Sequence, residues 1–177
     1  MYQSDVRKVD LPTETLAALA FPRIDYADAY RMRLPASVPN DIDAVARAAL
    51  GTAPHWIVLL MRLRDSLVGI IGLKTGAQLM QRDPGHNRLQ VGDRLGIFKV
   101  FDRRADELLL GEDDRHLDFR VSVLVQNDGS ADWAIISTVV RFNSWLGRAY
   151  FLPVRPFHKL IVPAMMRHAY QRNRNNQ

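Results

Sequence analysis

Cysteine is absent from the sequence, which excludes disulfides, a thiol nucleophile and a thiolate metal site. A long apolar run is absent too. The most apolar stretch, WIVLLMRLRDSLVGIIGL, is broken by Arg62, Arg64 and Asp65, whereas a membrane-spanning helix needs roughly 20 apolar residues. The first residues, MYQSDVRKVDLP, lack the apolar core of a cleaved export signal. We therefore expect a cytoplasmic protein that does not insert into membranes.

The motifs of nucleotide and metal chemistry are also missing. GLKTG and GDRLG have neither the glycine spacing of a phosphate loop nor a following Lys-Ser or Lys-Thr, and no G-x-S-x-G, H-E-x-x-H or G-x-G-x-x-G occurs. His116 and Asp118 offer only two metal ligands, and no partner motif stands elsewhere. We predict neither a cofactor nor a metal.

Lysine is scarce, since only four of the 24 basic residues are lysines, and the net charge is 24 − 19 = +5. A basic surface can attract nucleic acid. A nucleic-acid groove, however, is typically a basic stripe interleaved with aromatic residues. Here the arginines are scattered along the chain, so we predict no nucleic-acid partner.

What is present fits one globular domain. A chain of 177 residues with 47% hydrophobic and 24% charged residues can bury one full core, but it is too short for two comfortable domains. No repeat, low-complexity segment or linker divides it. We predict a single domain over 1–177, ordered over roughly 10–172, with a frayed tail RNRNNQ.

The first half of the chain predicts a strand followed by helices. Alternation of polar and apolar residues predicts a strand over 26–34. A helix should follow, capped by Asn40 and closed by Gly51. Its apolar side is formed by Ile42, Val45, Ala46 and Ala49. Leucines at helical spacing predict a second helix over 54–67, and QRDPGHN predicts a turn at 81–87.

The second half predicts a meander and a final helix. Four strands with short joins are predicted, over 94–103, 107–113, 116–126 and 132–143. The dipeptide Asp128-Gly129 is a strong hairpin signal, and short joins make antiparallel neighbours. A last helix should begin near Pro156, kink at Pro163 and lay one apolar stripe on the sheet. The stripe consists of Phe157, Leu160, Ile161, Ala164, Met165 and His168.

This order of elements predicts an α+β fold of the helix-grip type. In that arrangement a curved antiparallel sheet wraps around a long C-terminal helix, with two shorter helices after the first strand. The space between the sheet and the helix is then a candidate ligand cavity. The alternative is an α+β sandwich with a filled core.

Four blocks of the sequence resemble the bacterial domain-of-unknown-function 2867 family: GDRLGIFKV, ELLLGEDDRHLDFRVSV, STVVRFNSWLGRAYF and PFHKLIVPAMM. The resemblance covers most of the chain, and GEDDRHLDFR is its most specific part. It implies the START-like (SRPBCC), helix-grip superfamily, and therefore a fold and a cavity. It implies no activity, because the family has no established reaction. Some members look fused to nicotinamide-dependent reductases, which suggests a role beside small-molecule metabolism.

The stretch HLDFRVSV alternates strictly, so its polar and apolar side chains lie on opposite faces of one strand. We expect the apolar row, Leu117, Phe119, Val121 and Val123, to pack toward the long helix. The polar row, His116, Asp118, Arg120 and Ser122, should be solvated on the other face or at its rim, because burying it requires every charge to be paired. Arg141 on the next strand should then pair with Asp118 or Glu107.

If the polar row faces inward instead, its residues gain a chemical role. A histidine flanked by carboxylates can act as a general base, and Arg120 can bind an anion bidentately. This alternative is an enzyme of the same fold with His116, Asp118 and Arg120 in its pocket. His158 and His168 on the last helix can also reach the cavity, although core or surface positions are commoner for histidines.

We predict a protein that binds a small hydrophobic or amphipathic molecule in a largely apolar pocket with a charged mouth. The predicted ligand-binding residues are Asp114, His116, Asp118, Phe119, Arg120, Arg141, Phe157, Leu160, Ile161 and Met165. A self-associating surface around 145–151 is a further hypothesis, and it would give a homodimer.

Overall fold

The computed structural model describes residues 5–35, 41–51 and 88–175, with side chains described up to residue 169. The helix predicted over 54–67 and the turn predicted at 81–87 lie outside the described residues. Asn40, the predicted cap of the first helix, also lies outside them.

The described residues form one curved, open antiparallel sheet of seven strands. The strands are β1 Arg7–Val9, β2 Tyr26–Arg33, β3 Arg94–Leu95, β4 Phe98–Arg103, β5 Glu107–Asp113, β6 Leu117–Asn127 and β7 Asp132–Phe142. Their spatial order is β1-β2-β7-β6-β5-β4-β3. Consecutive strands from β3 to β7 are neighbours, which confirms the predicted meander. β2 then joins the far side of β7, and the fold is α+β.

The described part of the chain also contains three helices: α1 Leu16–Leu19, α2 Ile42–Leu50 and α3 Trp145–Asn175. Thr15 caps α1 and Asp41 caps α2, each by accepting a backbone N–H with its side chain. Gly51 closes α2 as predicted. None of these helices is long and apolar enough to cross a membrane.

The predicted strands agree with the observed ones except at one place. The bounds of β2, β5, β6 and β7 differ from the prediction by at most one residue. The strand predicted over 94–103 is instead a hairpin of β3 and β4, because Gly96 adopts a φ of +60° and turns the chain. Gly129 has a φ of +84° in the β6–β7 hairpin, as the Asp128-Gly129 signal predicts.

The helices α2 and α3 cover one face of the sheet, and the apolar row of β6 points toward them. Leu117, Phe119 and Val121 share clusters with side chains of α3, and Val123 shares one with side chains of α2. The α3 residues of these clusters are Tyr150, Phe151, Val154, Val162 and Met166. The predicted direction of the apolar row is therefore confirmed, with its last member under α2.

The face of α3 that meets the sheet differs from the predicted stripe. Along this face, Phe151, Val154, His158, Val162, Met166 and Ala169 recur at every third or fourth position and are buried or half-buried. Phe157 and Leu160, which were predicted to face the sheet, are 48% and 64% exposed. Ile161 and Met165 are half-buried. The prediction for Phe157 and Leu160 is wrong.

The physical reason is the position at which α3 begins. The helix starts at Trp145 and contains Pro153, Pro156 and Pro163, so Pro156 is an interior residue rather than part of a first turn. Phe151 packs on Leu117 and Val140. This contact fixes which side of the helix faces the sheet, and it lies before the first residue of the predicted stripe.

A buried ion pair joins α2 to β4. Arg103 donates to both carboxylate oxygens of Asp43 at 2.8 Å, and the backbone N–H of Leu89 donates to the same carboxylate at 2.8 Å. Burial by itself raises the pKa of Asp43, but the bonds from Arg103 and Leu89 outweigh burial, and the pKa lies below its ordinary value.

Met166 and Leu160 allow an experimental test of the phase of α3. Met166→Ala should lower the free energy of unfolding by about 2–5 kcal/mol, because it leaves a cavity beside Val121 and Ile136. Leu160→Ala should change that free energy by less than about 0.5 kcal/mol, because its side chain is exposed. Urea denaturation of the two variants measures both values. If both variants lose the same free energy of unfolding, Leu160 is buried as the predicted stripe requires.

Asp43→Asn should lower the free energy of unfolding at neutral pH by about 3–5 kcal/mol, because it leaves the buried Arg103 without its counter-charge. Since the pKa of Asp43 is lowered by folding, its contribution is complete above the ordinary carboxyl pKa of about 3.9 and is lost as the pH falls through the lower folded value. Unfolding curves between pH 7 and pH 2 should therefore converge for the wild type and the variant. Asp106→Asn, at an exposed position, is the control and should leave stability unchanged.

Candidate functional site

The face of the sheet opposite α2 and α3 is covered by the N-terminal segment, residues 11–24, which contains α1. Side chains of this segment form a cluster with Leu109 and Val139 of the sheet. The polar row of β6 lies beneath it. Its buried members are Asp118, Arg120 and Ser122, at 3%, 7% and 0% exposure. The predicted face of this row is confirmed, but the expectation that it is solvated is wrong, because the N-terminal segment covers it.

Glu107 of β5 ties the N-terminal segment to the sheet. Its carboxylate is 1% exposed. Both of its oxygens accept the backbone N–H of Leu16 at 2.9 Å, and one also accepts the hydroxyl of Ser122. Arg104 lies 3.9 Å away. Because a buried carboxylate is tolerated only when it is bonded, Glu107 fixes the start of α1 on the sheet.

Arg120 and Arg141 on this face are matched by acidic and aromatic neighbours. Arg120 donates to Asp113 at 2.8 Å, and its guanidinium carbon lies 3.4 Å from the ring centroid of Phe101. Arg141 forms an ion pair with Asp118, its register partner, which confirms one of the two partners predicted for it. These charges are therefore compensated by the protein itself.

Gly111 makes this arrangement sterically possible. It lies opposite Arg120 in the β5–β6 register. A Cβ at this position would stand 2.1 Å from the carbonyl oxygen of Phe119, so no other residue fits there without moving β6.

His116 and Asp114 connect the β5–β6 turn to the start of α3. The carbonyl oxygen of His116 accepts the backbone N–H of Asn143 at 2.9 Å and that of Ser144 at 3.3 Å. Its Nδ1 lies 3.0 Å from the hydroxyl of Ser144. Asp114 accepts the N–H of His116 at 3.3 Å. Both residues therefore hold the beginning of α3 in place.

A groove of about 310 Å³ opens where the first turns of α3 pass β2 and the end of β7. It is lined by Asp25, Tyr26, Phe142, Arg148, Phe151, Leu152 and Arg155. Its three aromatic rings pack together, with the ring centroid of Phe151 lying 4.8 Å from that of Tyr26 and 5.5 Å from that of Phe142. The groove thus combines an aromatic wall with a charged rim.

The two arginines of the groove differ in their surroundings. Arg148 lies 3.6 Å from Asp25, whose carboxylate also accepts the N–H of Phe142 at 2.8 Å and pairs with Arg23 at 3.2 Å. Arg155 lies over the ring of Tyr26 at 5.4 Å, and it forms no ion pair with any residue in the described part of the chain. Arg155 thus has no carboxylate beside it among the described residues, whereas Arg148 and Arg23 share that of Asp25.

Behind Tyr26, a buried polar cluster lies between β2, β7 and α3. Asp28 is 4% exposed. Its Oδ2 accepts the hydroxyl of Tyr26 and lies 3.1 Å from Nδ1 of His158. Burial and the hydrogen bond to Asp28 raise the pKa of Tyr26 well above its usual range, so this tyrosine stays protonated. In a neutral imidazole, a hydrogen bond from Nδ1 to a carboxylate leaves Nε2 as the accepting nitrogen.

Two oxygens of this cluster have no hydrogen-bond partner. They are Oδ1 of Asp28 and Oγ1 of Thr138, both fully buried, and the two residues stand opposite each other in the β2–β7 register. A buried polar atom without a partner costs about 1–3 kcal/mol. The described protein groups therefore leave hydrogen-bonding capacity unused at this point.

Deeper between the sheet, α2 and α3, the structure contains an apolar cavity of only about 20 Å³. Met32, Ala49 and Met166 are among its lining residues. Such a volume holds about one water molecule, so the described core leaves no room there for an organic ligand. Phe119, predicted to line a cavity, packs in this core.

None of the residues that line the groove was predicted as a ligand-binding residue, and Asp28 was not predicted either. The alternation of YADAYRM places Tyr26, Asp28, Tyr30 and Met32 on one face, and a carboxylate within that apolar row is a usable signal. Arg148 and Arg155 were overlooked because the last helix was expected to begin after them. His158 was considered as a residue that can reach the cavity, and it does lie on the sheet side of α3.

Among the residues that the structure describes, no group of three or more metal-ligating side chains occurs.

Thr138→Val should raise the free energy of unfolding by about 1 kcal/mol, because it removes a buried hydroxyl without a partner. Ser122→Ala is the matched control. Its buried hydroxyl donates to Glu107, so its removal should lower the free energy of unfolding by about 1–3 kcal/mol. Chemical denaturation measures both. A clear loss of stability in Thr138→Val would show that this hydroxyl is bonded.

One family model, described as "Protein of unknown function (DUF2867)", matches residues 20–165. The match includes the groove, the Asp28 cluster and the polar row of β6. No curated protein and no solved structure matches the chain. The chain therefore belongs to this family of proteins of unknown function, in agreement with the resemblance of its sequence blocks.

Proposed function

We propose that the protein is a single START-like, helix-grip domain that binds a small amphipathic molecule in the groove beside α3. The observation that carries the proposal is the groove itself, with a volume of about 310 Å³, three aromatic residues and two arginines. Apolar and aromatic walls with a few polar groups are the usual composition of small-molecule sites. The helix-grip arrangement is supported by the packing of α3 on one face of an open antiparallel sheet.

The buried polar cluster adds support from an independent direction. Tyr26 belongs to both features, because its ring lines the groove and its hydroxyl bonds Asp28. A polar group retained in a core at a cost to stability is common where a protein binds or transforms a ligand. The unpartnered oxygens of Asp28 and Thr138 therefore favour a ligand on the α3 side of the sheet.

The residues first predicted to bind the ligand do not line the groove. Asp118, Arg120 and Arg141 lie on the opposite face, while Asp114 and His116 hold the start of α3. A ligand role for these residues, and for Phe119, Phe157, Leu160, Ile161 and Met165, stays a prediction. The cytoplasmic location and the homodimer also stay predictions.

The proposal is tested with N-phenyl-1-naphthylamine, a neutral two-ring probe that fluoresces in apolar surroundings. The wild type should bind it saturably. Leu152→Asp should weaken binding about tenfold, or roughly 1.4 kcal/mol, because it places a carboxylate in the aromatic groove. Leu152 is 70% exposed, so the substitution should not unfold the protein.

Leu160→Asp is the matched control, because Leu160 lies on the same helix, is 64% exposed and does not line the groove. It should bind the probe as the wild type does. Absence of saturable binding to the wild type, or equal loss in both variants, would contradict the proposal.

A second candidate function, an enzyme of the same fold, is favoured by the Asp28–His158 pair. A carboxylate that orients an imidazole and leaves Nε2 free is an arrangement used for general-base chemistry. The His158 side chain is 19% exposed, so it is accessible from outside the core. In this hypothesis the enzyme would use Asp28 and His158, in place of His116, Asp118 and Arg120.

Incubation with a small-molecule extract of bacterial cells, followed by mass spectrometry, tests this second function. The wild type should deplete one compound and form another, and His158→Gln should abolish that change. His168→Gln, further along α3, is the control and should react like the wild type. If His158→Gln reacts like the wild type, the catalytic hypothesis fails.

A further inference from the structure

We infer that the groove selects molecules that carry an oxyanion, and that Arg155 rather than Arg148 recognises it. This inference rests on the proposed binding function of the groove and specifies the chemical class of its ligand. Carboxylate, sulfonate and phosphate groups share the chemistry concerned, a planar or tetrahedral set of acceptor oxygens with negative charge. The guanidiniums of Arg148 and Arg155 differ in whether a carboxylate already lies beside them.

Arg148 has an acidic neighbour, Asp25, which it shares with Arg23. Its Nη2 lies 3.6 Å from Oδ1 of Asp25, and Asp25 is held in place by the backbone N–H of Phe142 at 2.8 Å. An anion that approached Arg148 would meet this fixed carboxylate at close range. Like charges within a few ångströms disfavour each other, so an anion at Arg148 would have to compete with Asp25 for the same guanidinium.

Arg155 is in the opposite situation. It forms no ion pair within the residues that the structure describes, and it lies over the aromatic ring of Tyr26 at 5.4 Å. A cation over an aromatic ring is attracted to it, and the N–H donors of Arg155, an exposed residue, stay available for oxygens. Arg155 is therefore oriented by Tyr26 and still able to donate to an anion.

The two arginines also define the direction in which a ligand lies. They are seven positions apart on α3, so they lie on nearly the same side of the helix and about 10 Å apart. Leu152 lies between them and lines the groove with Tyr26 and Phe142. A ligand with its oxyanion at Arg155 places its apolar body along this stretch, and its other end reaches Asp25. The ligand class is thus a small aromatic or aliphatic oxyacid.

Two probes that share one ring system test the inference. 1-Anilinonaphthalene-8-sulfonate is N-phenyl-1-naphthylamine with a sulfonate group added, so the ratio of their dissociation constants isolates the contribution of the anion. The wild type should bind the sulfonate at least about tenfold more tightly than the neutral probe. Arg155→Gln should reduce this ratio to near one. Arg148→Gln should keep most of the preference.

Each outcome separates the inference from the proposed function. If the neutral probe binds but the sulfonate binds no more tightly, the oxyanion inference is overturned and the binding function stands. If neither probe binds the wild type, the proposed function itself fails. If Arg148→Gln, and not Arg155→Gln, removes the preference, the assignment to Arg155 is wrong. Circular dichroism of both variants confirms that the fold is retained, and sodium naphthalene-1-sulfonate as competitor shows whether the probes share one site.

Discussion

The buried carboxylate of Glu107 is the contact on which the arrangement of layers depends. The central strand β6 carries a polar row, and such a row is stable inside a protein only if each charge is matched. Glu107 accepts the N–H of Leu16 and the hydroxyl of Ser122, so it joins the N-terminal segment to the sheet at the polar row. Arg141 and Asp118 neutralise each other beside it. Once this face is closed, α2 and α3 cover the other one, and the groove forms at the edge of that second layer.

The fold was predictable to the extent that local periodicity determines it. Alternation in β6, apolar runs in β5 and β7 and the Asp128-Gly129 turn sufficed for these three strands, because short hairpins fix both pairing and register. Burial of the polar row was not predictable, because it depends on a segment about 90 residues away along the chain, as the Leu16–Glu107 contact shows. Its cover, α1, is only four residues long, too short to show a helical period.

The phase of α3 shows why the candidate site was harder to predict than the sheet. Prolines usually mark helix starts, and Pro156 therefore suggested a late beginning, although the observed helix begins at Trp145. When the first residue of the helix is predicted wrongly, the predicted buried face is shifted as well. For this reason Phe157 was predicted to be buried, and Arg155 was not considered. Asp28 was overlooked for a different reason: a single acidic residue in a strand is normally solvated, and only the packing of α3 above it makes that residue exceptional.

The sizes of the two cavities constrain what kind of ligand fits this protein. The apolar cavity of about 20 Å³, which is lined by Met166 and its neighbours, is too small for an organic ligand. The groove, at about 310 Å³, lies at the lower end of the range of about 300–1,000 Å³ for small-molecule sites. A ligand there keeps one side near solvent, which favours a molecule with a compact apolar body and a charged end. Affinity in such an open site depends on few contacts, and the pairing of Tyr26 with Arg155 supplies an apolar surface and a charge at the same place.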